Sequence, residues 1–214
     1  MKAPLSNPLE QIGSVRRRVG GRAALVAISG IDASGKGYLS RKLAQRLEER
    51  GSRVALINVD GWLRLPHERF SAADPAVHFY SHAFRFEEMF ERLVLPLRES
   101  RWVDLEMDFA EETATAYRRE RYRFADVDVV LLEGIFLLKR DYRHHYDLSF
   151  WIECSFETAL KRAIARAQEG LPPADTVRAY ETIYFPAQRL HFGRDAPARA
   201  ASAVLDNDGP HLTE

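Results

Sequence analysis

The stretch GIDASGKG, residues 30–37, follows an apolar run and precedes a segment with helical periodicity. It fits the pattern G-x-x-x-x-G-K-[ST] at Gly30, Gly35 and Lys36, but Gly37 stands where the pattern requires Ser or Thr. Consecutive backbone N–H groups before a helix N-terminus, with a lysine beside them, suit the oxygens of a polyphosphate. The stretch therefore predicts a phosphate-binding loop from which one side-chain ligand for Mg²⁺ is missing.

The segments on either side of this loop predict a strand, a helix and a second strand. Residues 23–29 form a short apolar run, as expected for a parallel strand that is buried on both faces. Leucines recur every fourth residue between 39 and 47, and Gly51 provides a helix stop. Residues 53–60 then predict a second strand that ends in Asp60. This order is typical of a right-handed crossover in a parallel sheet.

Apolar runs and helical periodicities continue to alternate along the rest of the chain. Further strands are predicted at residues 128–134, 147–153 and 201–208. Apolar spacings of three and four between Phe86 and Leu97 predict a helix, which Pro96 should bend or end. The alternation predicts a three-layer α/β fold, in which helices cover both faces of a parallel sheet.

A β-hairpin and a lid are predicted as additions to this sheet. Apolar and acidic residues alternate in WVDLEMDF, and YRRERYRF supplies a partner strand, which gives an inserted hairpin at about 101–124. FETALKRAIARAQEG, residues 156–170, predicts a helix that runs into the loop LPPAD, and a lid that includes part of this helix is predicted at about 162–176. The predicted domain organisation is an N-terminal extension followed by a single domain, residues 1–21 and 22–214.

The composition narrows the classes of partner. Of the 214 residues, 46% are hydrophobic and 29% are charged, which is ordinary for a globular protein. The 31 basic and 31 acidic residues cancel, so small polar ligands are expected rather than nucleic acid or an anionic membrane. The single cysteine, Cys154, and the lack of a signal-peptide pattern or a long apolar span indicate a reducing, cytoplasmic location. Homo-oligomerisation is left open.

Two carboxylates are predicted at the edge of the sheet where ligands bind. Asp60 ends the strand after the loop helix, and Glu133 ends another apolar strand before Gly134. Asp60 could accept a proton from a substrate hydroxyl or hold a metal-bound water, although a turn-forming Asp explains it too. Arg162 and Arg166 share a helical face and suit either a transferred phosphoryl group or a solvated helix surface.

Five segments together resemble the uridine kinase and phosphoribulokinase branch of the P-loop small-molecule kinases: residues 26–47, 54–63, 128–138, 146–166 and 184–188. The resemblance extends over roughly residues 22–208. It implies a P-loop NTPase-type fold with ATP and Mg²⁺ as cofactors. It also implies phosphoryl transfer to a hydroxyl group of a small metabolite, such as a nucleoside, a sugar or a related alcohol.

The resemblance further implies roles for individual residues. Asp60 matches the proposed base, Glu133 the glutamate that supports Mg²⁺, and Arg162 and Arg166 the lid arginines. Both carboxylates are expected to reach the metal through water, and Lys36 to hold the β- and γ-phosphates. The residues expected to bind ATP are Gly30, Asp32, Ala33, Ser34, Gly35, Lys36, Gly37 and Tyr38.

The acceptor pocket is predicted in a segment where the chain departs from this family. Uridine kinases carry an NFDHP-like segment that grips the ribose, whereas this chain has HFYSHAF in the comparable region. The acceptor is therefore not identified by the sequence. The residues expected to line its pocket are Asp60, Tyr80, His82, Arg85 and Tyr117.

Several alternatives stay open at this point. Gly37 also fits a nucleotide-binding regulator with impaired catalysis, and the arginine-rich YRRERYRF fits a kinase directed at RNA. His78 and His82 have a spacing compatible with zinc but lack the glutamate of H-E-x-x-H. Because Mg²⁺ keeps several waters in protein sites, water can replace the missing hydroxyl. An active small-molecule kinase is therefore the leading hypothesis.

Overall fold

The strands of the computed structural model, which describes residues 6–167 and 170–209, form two sheets. The strands are β1 (Ala24–Gly30), β2 (Val54–Asn58), β3 (Val103–Phe109), β4 (Arg118–Phe124), β5 (Val129–Gly134), β6 (Leu148–Glu153) and β7 (Ala203–Asp206). Five of them form a sheet in the order β2-β5-β1-β6-β7, and every neighbouring pair is parallel. The remaining two, β3 and β4, form an antiparallel pair.

α-Helices lie before β1 and in the connections from β1 to β2, from β2 to β3 and from β6 to β7. The α-helices are α1 (Ser6–Arg18), α2 (Lys36–Glu49), α3 (Pro66–Arg69), α4 (Pro75–His82), α5 (Phe86–Met89), α6 (Leu95–Ser100), α7 (Phe156–Arg166), α8 (Pro173–Ala179), α9 (Phe185–Asp195) and α10 (Pro197–Ala200). Within the described residues, no helix is both long enough and apolar enough to cross a bilayer.

The two faces of the five-stranded sheet carry separate hydrophobic cores. Alternate residues of a strand face opposite sides, so Val26 and Ile28 pack beneath α1 and α2, whereas Leu25 and Ala27 pack beneath α4 to α6 and α9. All seven residues of β1 are buried. The predicted three-layer fold with a parallel sheet is therefore confirmed.

The N-terminal helix α1 contributes to one of these cores. Leu9, Ile12 and Val15 recur at intervals of three and are buried against the sheet. Arg16 of α1 also forms an ion pair with Asp128, at 2.8 Å, just before β5. The division into an extension and a domain stays a prediction, but the described part of residues 1–21 packs with the domain.

The second strand is shorter than the sequence predicted. It ends at Asn58 rather than Asp60, because the Asn58 side chain accepts a hydrogen bond from the backbone N–H of Asp60, at 2.7 Å. This cap begins a 3₁₀ turn over Val59–Gly61, which the backbone N–H of Trp62 closes by donating to Val59. Asp60 therefore lies in a turn just beyond the strand.

Pro96 neither ends the predicted helix nor leaves it regular. A π-helical turn, Phe90–Val94, joins α5 to α6 and ends two residues before Pro96, and a second one, Tyr180–Tyr184, joins α8 to α9 and ends two residues before Pro186. Proline lacks an N–H group and crowds the carbonyl four residues earlier, so a locally wider turn accommodates it within a continuous helical segment.

The predicted hairpin is present as β3 and β4, paired from Val103 and Phe124 to Phe109 and Arg118. It packs on the turn that carries Asp60: the rings of Trp62 and Tyr122 stack with centroids 5.7 Å apart. A side chain at Gly61 would collide with the Phe109 ring, so this close approach requires glycine.

Candidate functional site

The parallel register brings the ends of three strands together at one edge of the sheet. In β5, Glu133 is paired with Ile28 of β1 on one side and with Asn58 of β2 on the other. The loop after β1, the turn after β2 and Glu133 therefore meet at the carboxyl ends of the strands, where open α/β sheets bind ligands.

The glycine-rich loop has the conformation that its two glycines allow. A Cβ atom on Gly30 would lie 2.7 Å from Ser34 Oγ and 2.8 Å from the Ile152 carbonyl. Gly35 has a φ of 93°, and a Cβ atom there would collide with the Asn207 side chain, whose amide donates to the Ser34 carbonyl at 2.7 Å. Ala33 also has a positive φ, of 54°. The loop is thus compact, and the segment after β7 supports it.

A cavity of about 350 Å³ opens between this loop, the Asp60 turn and α7. It brings together most of the residues that the sequence predicted for nucleotide and catalysis. These are Asp32, Ala33, Gly35, Lys36, Gly37, Tyr38, Asp60, Glu133, Arg162 and Arg166. Gly30 and Ser34 are buried within the loop and do not line the cavity.

Lys36 is the buried cation of the site. Its side chain is 6% exposed, and its ammonium group donates to the Ile31 carbonyl at 3.0 Å, within the loop. Its positive charge acts on Asp32, Asp60 and Glu133, favouring the ionised form of each carboxyl group.

The carboxyl groups of the cavity differ in their proton affinity. Burial raises the pKa of Glu133 to about 7, with Asp60 adding to the increase and with Lys36 and Arg41 opposing it. Burial and the negative charge of Asp32 also raise the pKa of Asp60 above its ordinary value. Burial acts in the same direction on Asp32, but the charges of Arg166 and Lys36 outweigh it and lower the pKa of Asp32.

The donor set fits Mg²⁺ only together with phosphate oxygens and water. Within residues 6–167 and 170–209, no three His, Cys, Asp or Glu side chains are close enough to form a metal site by themselves. Glu133 and Asp60 offer the carboxylate oxygens that Mg²⁺ prefers, and this ion is commonly held by one or two carboxylates plus substrate phosphates. These two residues would hold the ion, and water would complete its shell.

The lid arginines are hydrogen-bonded to the glycine-rich loop and to the segment that follows β7. Arg166 donates to Asp32 at 3.1 Å, and the Tyr180 hydroxyl donates to the other oxygen of Asp32 at 2.7 Å. Arg162 donates to the carbonyls of Asn207 and Gly209, at 2.9 and 2.8 Å. The predicted lid also includes residues 168 and 169, which lie outside the described residues.

Four residues predicted for the acceptor pocket lie outside this cavity. Tyr80 donates to Asp195 at 2.6 Å, and Tyr117 donates to Glu68 at 2.8 Å. His82 is exposed, and its ring stacks on that of His78. Arg85 is buried between the Trp62 and Tyr117 rings. Tyr80 and Arg85 line a neighbouring cavity of about 430 Å³, to which Phe84 also contributes.

Several residues that line the main cavity were not predicted from the sequence: Arg41, Asn58, Leu63, Phe79, Phe84, Glu112, Ile135 and Tyr184. Arg41 follows Gly37 by one helical turn, a spacing that would have indicated a shared face. Glu112 comes from the loop between β3 and β4, where Arg69 and the Tyr184 hydroxyl hold its carboxylate, both at 3.3 Å. No local pattern marks that residue.

Comparisons with known proteins bear on the fold. No family model and no curated protein matches the chain. A structure described as a possible uridine kinase from Bacillus stearothermophilus matches with a TM-score of 0.70 and 18% identity, over 94% of this chain and 100% of its own. A protein assigned as a fructose transport system kinase from Silicibacter sp. TM1040 matches with a TM-score of 0.69 and 20% identity, over 94% and 98%.

D-glycerate 3-kinase from Cryptococcus neoformans matches with a TM-score of 0.64 and 12% identity, over 87% of each chain. These three structures are described as kinases, and each is similar to this chain over most of its length. The predicted resemblance is thereby confirmed for the fold, which this chain shares with these kinase structures.

Proposed function

We propose that this protein transfers the γ-phosphoryl group of ATP to a hydroxyl group of a small metabolite. The observation that carries the proposal is the convergence of the loop, its buried Lys36 and the two carboxylates Asp60 and Glu133 on one cavity. Backbone N–H groups of the loop and Lys36 would hold the β- and γ-phosphates. The fold of the metabolite kinases named above supports this assignment.

Asp60 is the proposed base. Its pKa is raised by burial and by Asp32, which makes its carboxylate a stronger proton acceptor than an ordinary aspartate. In the transfer, the acceptor oxygen forms a bond to the γ-phosphorus, and the bond from that phosphorus to the β–γ bridging oxygen breaks. The hydroxyl proton passes to Asp60, and ADP leaves.

Glu133, Arg162 and Arg166 are the proposed charge-stabilising residues. When bound, Mg²⁺ would offset the charge on the phosphate oxygens, with Glu133 and Asp60 holding it through water. The arginines place positive charge on the same cavity, where it would stabilise charge on the transferred group. Because Arg166 is paired with Asp32, its use in catalysis requires exchange of that carboxylate for phosphate.

The acceptor is proposed to be a small hydroxylated molecule bound against Phe84 and Glu112. Both residues line the cavity that contains Asp60, and Glu112 can accept hydrogen bonds from hydroxyl groups. Tyr80 and Arg85 stay a prediction for an outer part of the acceptor site, because Phe84 lines both cavities. A volume of about 350 Å³ leaves limited space beside a nucleotide.

The arginine-rich hairpin gives no support to an RNA acceptor. Arg119 pairs with Asp108 at 2.9 Å, and Arg121 pairs with Asp104 at 2.7 Å across the two strands. Arg118 is paired with Glu120. These ion pairs offset the positive charge that the arginines would otherwise offer to an RNA.

A coupled assay of ADP release tests the proposal. The purified protein, ATP and Mg²⁺ are combined with separate panels of ribosides, sugars and hydroxy acids. Acceptor-dependent ADP release that falls at least about 100-fold in Asp60→Asn supports the proposal. Tight ATP binding without release for any acceptor would instead favour the nucleotide-binding regulator.

A further inference from the structure

Gly37 lies in a space bounded by two charged side chains. A methyl group built on this glycine would lie 3.4 Å from Arg41 Nη1 and 3.7 Å from Glu133 Oε2. Both distances are ordinary van der Waals contacts, so a small side chain could be accommodated. The Arg41 guanidinium therefore lies beside the place that a Ser or Thr side chain takes in the usual loop pattern.

This position of Arg41 follows from the helix. Gly37 and Arg41 are four residues apart in α2, so they lie on the same face one turn apart. A side chain at position 37 would occupy part of the space next to the guanidinium. Glycine leaves Arg41 free to extend along the helix toward the phosphate-binding loop.

Arg41 also differs from the other arginines of the cavity in its partners. Arg162 is bonded to the carbonyls of Asn207 and Gly209, and Arg166 is paired with Asp32. In the part of the chain that the structure describes, no carboxylate lies within 4 Å of the Arg41 guanidinium, and its side chain forms no hydrogen bond. An arginine at the mouth of an anion-binding cavity thus keeps its donors available.

We propose that Arg41 binds the terminal phosphates of ATP and so substitutes for the side-chain hydroxyl that is missing at Gly37. This inference rests on the proposed function, since it assumes that ATP binds at this loop. The guanidinium brings a permanent positive charge and a planar pair of donors that can bind two phosphate oxygens at once. In the usual loop, the Ser or Thr hydroxyl helps to hold the Mg²⁺ that offsets the phosphate charge. The positive charge of Arg41 would offset part of that phosphate charge directly.

The nearby carboxylate is consistent with this role. Arg41 acts on Glu133 as a positive charge, although the two groups are not close enough for an ion pair. A phosphate group between them would accept hydrogen bonds from the guanidinium, and Glu133 would help to hold the Mg²⁺ that offsets the phosphate charge. Arg41 and Glu133 would then hold one phosphate group from two sides.

Isothermal titration calorimetry with ATP tests the proposal, with Mg²⁺ and then with EDTA. The variants are Arg41→Ala, Arg41→Lys, Gly37→Ser and the double variant Arg41→Ala with Gly37→Ser. Arg46→Ala is the matched control, because Arg46 is an exposed arginine of the same helix, paired with Glu49 and outside the cavity. Thermal unfolding of each variant checks that it is folded.

The expected results distinguish the role of Arg41 from the proposed function, which is ATP binding and phosphoryl transfer at this loop. Arg41→Ala should bind ATP about 10- to 100-fold more weakly than the wild type, since one charge-assisted contact is lost. Arg41→Lys should recover only part of this affinity, because it lacks the paired donors. The double variant should regain affinity with Mg²⁺ and not with EDTA, because a serine hydroxyl acts through the metal.

Other results would overturn the inference. If Arg41→Ala binds ATP as tightly as Arg46→Ala, Arg41 is a solvated helix residue. If Arg41→Ala weakens ATP binding but the double variant does not regain affinity with Mg²⁺, Arg41 does not substitute for the missing hydroxyl. If the folded wild type itself does not bind ATP, the proposed function fails, and the inference fails with it.

Discussion

Replacing Glu133 by glutamine should stabilise the protein above neutral pH. Burial raises the pKa of this carboxyl group from 4.5 to about 7. Between these values the folded state binds more protons than the unfolded state, so stability decreases as pH rises from about 4.5 to 7. At 1.36 kcal/mol for each pKa unit, the ionised carboxylate costs about 3 kcal/mol of folding free energy at pH 8.

Glutamine has nearly the same shape and does not ionise. Urea unfolding should therefore give Glu133→Gln about 3 kcal/mol more stability than the wild type at pH 8, with little difference at pH 5. In a thermal scan at pH 8 the gain corresponds to about 6–12 °C in Tm. Glu10→Gln, on the exposed side of α1, is the control and should show neither effect.

The reasoning is refuted if Glu133→Gln is the less stable protein at pH 8, or if its advantage is the same at both pH values. The expected gain reflects the functional role proposed for Glu133. A carboxylate kept in a buried position to hold a metal ion destabilises the folded chain until that ion is bound, and such conflicts between stability and activity are common at active sites.

Three further substitutions test other parts of the site. Asp60→Asn should lower kcat about 100-fold or more and leave the Kd for ATP within a few-fold, as measured by steady-state kinetics and calorimetry. An equal loss in both quantities would contradict its role as base. Gly35→Ala should destabilise the fold by more than about 2 kcal/mol in urea unfolding, because its φ is 93° and the added methyl group meets Asn207. Asn207→Ala removes the buried bond to the Ser34 carbonyl and should cost about 1–2 kcal/mol of stability and weaken ATP binding. An unchanged unfolding midpoint would show that this bond does not support the loop.

The fold could be predicted because the strong signals are local. The buried strands are continuous apolar runs, and the loop between β1 and α2 is fixed by glycines that no other residue could replace without collision. The helix stop at Gly51 is equally local, since its φ of 80° and its bond to the Glu48 carbonyl require only adjacent residues. Periodicity and glycine placement therefore sufficed for the sheet, the loop and the position of Lys36.

The acceptor side of the site could not be predicted in the same way. Tyr80 is held by Asp195, which lies 115 residues later, so no pattern near HFYSHAF shows that its hydroxyl is engaged. Glu112 reaches the cavity through the fold of the β3–β4 loop and its contacts with Arg69 and Tyr184. Arg41 carried a local signal, its spacing of four from Gly37, but the sequence alone does not show that its guanidinium lies beside Gly37 at the cavity.

The most direct test of the central claim is a crystal structure with a non-hydrolysable ATP analogue and Mg²⁺. We expect the β- and γ-phosphates against the backbone N–H groups of residues 33–38. The Lys36 ammonium should have moved from the Ile31 carbonyl onto the phosphates. A nucleotide bound elsewhere on the protein, or a Lys36 still bonded to Ile31 beside a bound nucleotide, would contradict the claim that this loop is a phosphoryl-transfer site.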